Sequence, residues 1–306
     1  MIRLFSIDIQ GVFPAVVPIT LSGLTGINII IGPSGAGKSL LLKTIYSAFL
    51  PANTPTGISS ENVCGSQPQL ITTFLWNNVE CKLSSELKAV RGNINTSQIC
   101  AAESLPEEFI LSHEKIHPFF SSSERFLDYK CEEIKNYSSE AVALFQETIC
   151  NYTNEIEASV SGALESMCKR LPFCLSPVFD WKKVISFDIK HAVEDHSLLA
   201  DYSYSAVSSG LKKRSMMDFT FALASVNSDD PIFIDDFEAF LDKEQVQYFL
   251  EKMCSLNNPF FITTRSAYIV DELQKNDAKI FLADHRWDEN RQCKSDWREY
   301  ANGFLY

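Results

Sequence analysis

The chain has 306 residues and a net charge of −12, with 45% hydrophobic and 22% charged residues. This balance is ordinary for a globular protein of one large or two ordinary domains, whose core needs no disulfide or metal staple. The acidity argues against a large, uniformly basic nucleic-acid surface and leaves only a local basic groove open.

The nine cysteines are odd in number, scattered and without a CxxC pair. That pattern suits a reducing compartment and buried thiols, not a disulfide framework or a zinc ribbon. "MIRLFSIDIQGVFP" lacks the apolar region of a secretory signal, and no apolar run reaches the length of a membrane span. A soluble, cytoplasmic protein away from the membrane is the expectation.

In chain order, "IRLFSIDI", "AVVPITL" and "INIIIG" read as short strands rich in Ile, Val and Phe. "SLLLKTIYSAFL" then reads as a helix stopped by Pro51, residues 51–68 as loop, and "LITTFLWNNVECKL" as strand. From about 104 to 171 the pattern turns helical. Val142, Phe145, Ile149, Tyr152, Ile156, Val160, Ala163 and Met167 recur at helical steps. A helix over 139–169 would run roughly 45 Å. It reads as core-packed or as a short coiled-coil stub. "KVISFDI" at 183–189 is strand-like.

The last third alternates. "GLKKRSMMDFTFALASV" reads as helix, "PIFID" as buried strand, "DKEQVQYFLEKMC" as helix, "PFFITT" as strand, "AYIVDELQK" as helix and "KIFLAD" as strand. Such alternation predicts a largely parallel sheet.

"GPSGAGKS" at 32–39 fits the phosphate-loop pattern G-x-x-x-x-G-K-[ST]. Glycines let the backbone curl so that several N–H groups point at one phosphate. The following helix adds its positive end. Lys38 is expected at the β- and γ-phosphates and Ser39 at Mg²⁺. The nucleotide contacts are expected from Gly32, Pro33, Ser34, Gly35, Ala36, Gly37, Lys38, Ser39 and Leu40. In "PIFIDDFEAFLD", Asp235 and Asp236 end an apolar strand. Asp235 there can hold Mg²⁺ through water and Asp236 can polarise an attacking water. Paired exposed acids at a strand end would look the same in isolation.

"VSSGLKKRS" at 207–215 lies 20 residues before Asp235, "FFITTRS" begins a strand 25 residues after it, and "EAFLD" follows the acidic pair. With the N-terminal strand pair and phosphate loop, this order resembles the ABC-type ATPase superfamily. It is most similar to the soluble branch of SMC and RecF repair ATPases and OLD-family defence proteins. The resemblance covers about 1–50 and 200–270. It implies an ABC-ATPase-like α/β P-loop NTPase with a mixed, largely parallel sheet. Residues 1–95 and 180–306 would form the core, with a helical insertion at 96–179.

By resemblance, "VSSGLKK" looks like the family's signature motif. Val207 takes the Leu position. Ser208, Ser209 and Gly210 would touch the γ-phosphate of ATP bound to the other subunit, although Ser there also suits a plain N-cap. Leu241 and Asp242 resemble the D-loop at the dimer seam. Thr264 and Arg265 fall where the family has a switch His before Ser. Gln67 and Gln69 are the candidates for a Q-loop.

Three departures matter. Asp236 stands where most members have Glu, Leu211 replaces the signature Gln or Glu, and Arg265 replaces the switch His. Arg265 can grip a γ-phosphate but cannot act as a base at neutral pH. The resemblance therefore implies a slow Mg²⁺-dependent ATPase whose ATP-driven homodimer acts on a partner protein or DNA. Asp236, Arg265 and Lys38 would be catalytic, and Ser39 and Asp235 would hold the metal. An ATP-gated scaffold for an effector stays open. A transporter motor suits the chain less well.

"HEKIH" at 113–117 matches a zinc-protease pattern, but Pro118 follows the second His at once, which ends the helix the site would need. The run Lys212, Lys213, Arg214 suits a solvated helix face or a contact with phosphate or nucleic acid. "NYT" and "NTS" match the glycosylation pattern and carry no weight without a secretory signal.

Overall fold

In the computed structural model, the described residues are 2–12, 19–50, 55–59, 68–90, 93–101, 105–113, 116, 118–121, 213, 214, 217, 218, 220, 221, 224, 225 and 230–283. The chain divides into two compact units. One comprises residues 1–122, 227–238 and 246–306, the other 123–226 and 239–245.

The first unit holds a five-stranded parallel sheet in the order β11-β3-β10-β9-β8. Its strands are β3 (Ile27–Ile31), β8 (Phe119–Ser121), β9 (Ile232–Ile234), β10 (Phe260–Thr264) and β11 (Lys279–Leu282). Every residue of β3, β8, β9 and β10 is buried. That is why β3, β9 and β10 read as largely apolar runs and not as alternation. Helix α1 (Lys38–Ser47) follows β3, and α4 (Ala267–Gln274) connects β10 to β11. Helix α3 (Lys243–Ser255) precedes β10 and buries Val246, Phe249, Leu250 and Met253, one stripe at helical spacing. This is the expected α/β fold, with a parallel sheet whose strand β3 leads into the phosphate loop and its helix. The phosphate-loop strand β3 and the acidic strand β9 are separated by β10, so three strand ends converge on one place.

A second sheet, in the same unit, has six strands in the order β2-β1-β5-β6-β7-β4. They are β1 (Ile2–Gln10), β2 (Ile19–Ser22), β4 (Pro55–Ser59), β5 (Gln69–Trp76), β6 (Val79–Val90) and β7 (Asn93–Ala101). All of its pairings are antiparallel. One apolar core joins the two sheets. Leu41, Leu42, Ile45 and Tyr46 of α1 share it with Ile7, Leu70 and Phe74 of the antiparallel sheet and with Phe120, Phe233 and Phe261 of the parallel one. Phe233 stacks on Phe261 at 4.9 Å and on Phe120 at 6.3 Å, and Tyr46 packs edge-on against Phe120 and Phe233. This aromatic row braces α1, and with it the phosphate loop, against the sheet.

Several sequence expectations change. Residues 55–59, read as loop, form the edge strand β4, where its Pro and Gly are tolerated. "LITTFLWNNVECKL" is a hairpin and not one strand. Asn77 and Asn78 take φ of 50° and 64°, the left-handed pair that a tight two-residue hairpin turn needs. The helical insertion expected from 96 meets strand β7 through Ala101, and β8 at 119–121 belongs to the core sheet. Helix α2 (Glu107–His113) is the described helical part of that stretch. The helix expected at 139–169 and the strand at 183–189 lie outside the described residues.

In the second unit, the described residues between 213 and 225 are helical, as expected. Lys213 is 2% exposed, so it does not sit on a solvated face. Asp242 and Gln245 exchange side-chain bonds with each other's N–H groups, at 3.2 and 2.8 Å, a capping box at the start of α3. No described helix is long and apolar enough to cross a membrane. Cys81 and Cys254 carry free thiols.

Candidate functional site

The loop between β3 and α1 has the shape its sequence requires. Gly35 and Gly37 take φ of 78° and 86°, a region that side chains disfavour. Gly32 is glycine for a different reason: a Cβ there would meet the Ala283 carbonyl oxygen at 2.2 Å. That carbonyl follows β11, whose next residue is tied to β3 by Ala283 N–H donating to Ile31 O at 2.6 Å. Pro33 O accepts from Ala36 N–H at 3.2 Å and closes the turn. No side chain caps α1 and its own first turn carries no acid, so none of its own side chains occupies the first N–H groups of the helix.

Lys38 folds back over the loop, and its Nζ donates to Gly32 O at 2.9 Å and Pro33 O at 3.0 Å. Burial lowers its pKa, opposed by the nearby charge of Asp236 and reinforced by that of Arg265. A cation held by loop carbonyls in a desolvated place is poised to exchange those weak partners for phosphate oxygens.

Ser39 Oγ donates to Asp235 Oδ1 at 3.0 Å, which brings the first residues of α1 to the end of β9. Thr263 Oγ1 donates to the same Oδ1 at 2.6 Å and accepts from Asp236 N–H at 2.8 Å. Asp236 follows with φ of 45°. Its pKa is raised by burial and then by the charges of Asp235 and Glu238, while Arg265 and Lys38 pull it back down. Lys38, Ser39, Asp235, Asp236 and Arg265 therefore gather at the carboxyl ends of β3, β9 and β10, where parallel α/β sheets place ligands. Pro33, Ser34, Ala36 and Leu40 line or follow the same loop.

Thr263 and Glu238 are site residues that the sequence reading missed. Glu238 Oε2 accepts from Thr264 Oγ1 and Oε1 from Arg265 N–H, both at 2.8 Å. Their usable signal is position: Thr263 lies near the end of β10 and Glu238 just past the end of β9, the strand paired with it.

Ser208, Ser209, Gly210 and Gln67 lie outside the described residues. Gln69 begins β5 and donates through Nε2 to Ser84 Oγ at 2.7 Å, a cross-strand bond within the antiparallel sheet. In "HEKIH", α2 ends at His113, whose ring packs 5.1 Å from Phe74 and 6.0 Å from Phe109. Among the described residues no group of three His, Cys, Asp or Glu side chains forms a metal cage.

The residues do fit a magnesium ion held with a nucleotide. Ser39 Oγ and the Asp235 carboxylate are hard oxygen donors within bonding distance of one another, and such sites use one or two protein ligands beside phosphates and water.

No protein-family model matches the chain, and no curated protein matches it by sequence. Solved structures similar to it include the SMC head domain of Thermotoga maritima, at 14% identity and TM-score 0.47, covering 92% of this chain and 94% of that one. An Smc head from Pyrococcus furiosus, bound to the C-terminal domain of ScpA, is similar at 12% identity and TM-score 0.47, covering 92% and 93%. A dimeric bacterial ABC transporter cassette is similar at 14% identity and TM-score 0.38, covering 92% and 94%. Likenesses of this size assign no role, substrate or partner. The α/β P-loop fold rests on the loop, the acidic strand end and the strand order.

Proposed function

We propose that the chain binds ATP with Mg²⁺ on residues 32–40 and hydrolyses it slowly. Gly32, Pro33, Ser34, Gly35, Ala36, Gly37 and Leu40 would cradle the phosphates with their backbone, and Lys38 would balance their charge. Ser39 and Asp235 would hold the ion, which supplies neutralisation of the phosphate oxygens. Asp236 would orient the attacking water, and Arg265 would meet the charge that develops on the terminal phosphate. The observation that carries this reading is the Ser39–Asp235 hydrogen bond, which joins the phosphate loop to the acidic strand end. Slow turnover is supported by Asp236 itself. Its carboxylate is one methylene shorter than that of a glutamate and reaches an attacking water less well.

The resemblance of "VSSGLKK" to a signature motif supports a head-to-tail homodimer, with Ser208, Ser209 and Gly210 of one copy completing the site of the other. Such a dimer would act on a partner protein or DNA. Light scattering with and without Mg²⁺-ATP tests it on the wild type, Lys38→Ala and Ser208→Arg. Doubling of the mass with ATP in the wild type alone is expected. A mass that ignores ATP in all three would remove the dimer, and equal ATP binding by Lys38→Ala would remove the site.

A further inference from the structure

The segment 235–238 is stitched to the end of β10 from both sides. Thr263 Oγ1 bonds Asp235 and the N–H of Asp236, and Phe237 N–H donates to Thr263 O at 3.0 Å. In the other direction both oxygens of Glu238 are used on Thr264 and Arg265. Thr264 is fully buried, and its hydroxyl also accepts from the N–H of Ser266, the residue that starts α4. Glu238 thus fixes the backbone on which Arg265 is mounted, at the corner where β10 turns into α4. Arg265 directly follows β10, whose last residue Thr264 pairs with Ile31 at the start of the phosphate loop, so the corner stands beside that loop and the Arg265 charge reaches both Lys38 and Asp236.

We propose that Glu238 is a positioning residue. Its carboxylate, clamped on Thr264 and Arg265, holds the Arg265 side chain against the terminal phosphate, so that the site separates a nucleoside triphosphate from a diphosphate. This rests on the reading that ATP binds at 32–40. Glu238 touches no nucleotide itself. Without it the corner relaxes, Arg265 loses its aim, and selectivity for the third phosphate falls while the loop's grip on the first two persists.

The test is the affinity of ATPγS and of ADP, each with Mg²⁺, for the wild type and variants by calorimetry. A merely structural role would weaken both ligands together. Glu238→Ala is expected to weaken ATPγS about tenfold and leave ADP within about twofold, as for loss of one charge-assisted contact. Glu238→Gln keeps an acceptor for Arg265 N–H and is expected to stay within about threefold of wild type. Glu238→Asp, too short to span both partners, guards against misfolding of the alanine variant and is expected to lose ATPγS selectively. Arg265→Ala should match Glu238→Ala, and the double variant should lose nothing more. Equal weakening of both ligands, or additive losses in the double variant, overturns the proposal. If the wild type binds neither nucleotide, the underlying reading fails, and that result is distinct from normal binding with unchanged selectivity in Glu238→Ala.

Discussion

The hydroxyl of Thr263 donates to Asp235 at 2.6 Å, and 28 residues separate the two in sequence. The same oxygen accepts the N–H of Asp236, so one buried side chain orients the proposed metal carboxylate and pins the backbone of the next acid. Thr263→Val keeps the shape and deletes both bonds. It leaves a buried carboxylate short of a donor and an N–H short of an acceptor, a loss of about 2–3 kcal/mol. Thr263→Ser keeps the hydroxyl and should recover most of that. Urea denaturation of the three proteins decides it, and a valine variant as stable as the wild type would show that the hydroxyl contributes nothing.

Two glycines of the phosphate loop should respond differently to alanine. At Gly32 the added methyl would stand 2.2 Å from the Ala283 carbonyl oxygen, closer than any real contact, so β3 and β11 would have to part. The expected loss is about 3 kcal/mol, at the upper end for forced overpacking. At Gly35 no atom lies within 4 Å of such a methyl, and the only cost is the left-handed backbone at φ 78°, about 1–2 kcal/mol. Thermal melts in the absence of nucleotide should rank wild type, Gly35→Ala and Gly32→Ala in descending order. The reverse order for the two variants would contradict the packing described here.

The strands that position the site were legible because they are buried on both faces. "INIII", "IFI" and "FFITT" are predominantly apolar, interrupted only by Asn28, Thr263 and Thr264, and the loop and acids at their ends name themselves. Strand β4 hid behind Pro55 and Gly57, which read as loop but are tolerable at a sheet edge. Strand β8 is three residues long, too short to show a period, and only its pairing with β9 reveals it. Thr263 and Glu238 escaped because nothing local marks a threonine or a glutamate. Their roles arise from the parallel register that lays β10 beside β9, a long-range fact.

The raised pKa of Asp236 sets the acid side of the proposed hydrolysis. Burial, Asp235 and Glu238 all favour its neutral form, so its protonation should begin above the ordinary aspartate range. Turnover, which needs the carboxylate, should then fall with decreasing pH earlier than an ordinary aspartate would dictate. Arg265 opposes that shift. In Arg265→Ala the acid limb should therefore move to still higher pH, on top of a lower plateau. Single-turnover rates across pH 4–8 check this, and an unmoved limb in the variant would separate Arg265 from Asp236 electrostatically.

His113 provides a pH effect on stability that is independent of nucleotide. Its ring is wedged against Phe74 and Phe109, its Nε2 is buried without a hydrogen bond among the described residues, and burial lowers its pKa from 6.5 to about 4. The folded state therefore favours the neutral ring, whereas the unfolded chain takes up a proton near pH 6.5. Above that pH the term costs nothing. As pH falls from 6.5 toward 4 the unfolded state gains protons that the folded state refuses, and stability is lost progressively, on the order of 2–3 kcal/mol across the window. His113→Phe removes the titrating group and the orphaned nitrogen while keeping a ring among rings. It should be at least as stable as the wild type at pH 7 and should flatten the decline between pH 6.5 and 4. Urea midpoints at half-unit steps of pH measure the difference between the two curves. That difference should grow by about one proton's worth of linkage per pH unit, and parallel curves would mean that His113 is open to solvent and protonates freely in the folded chain.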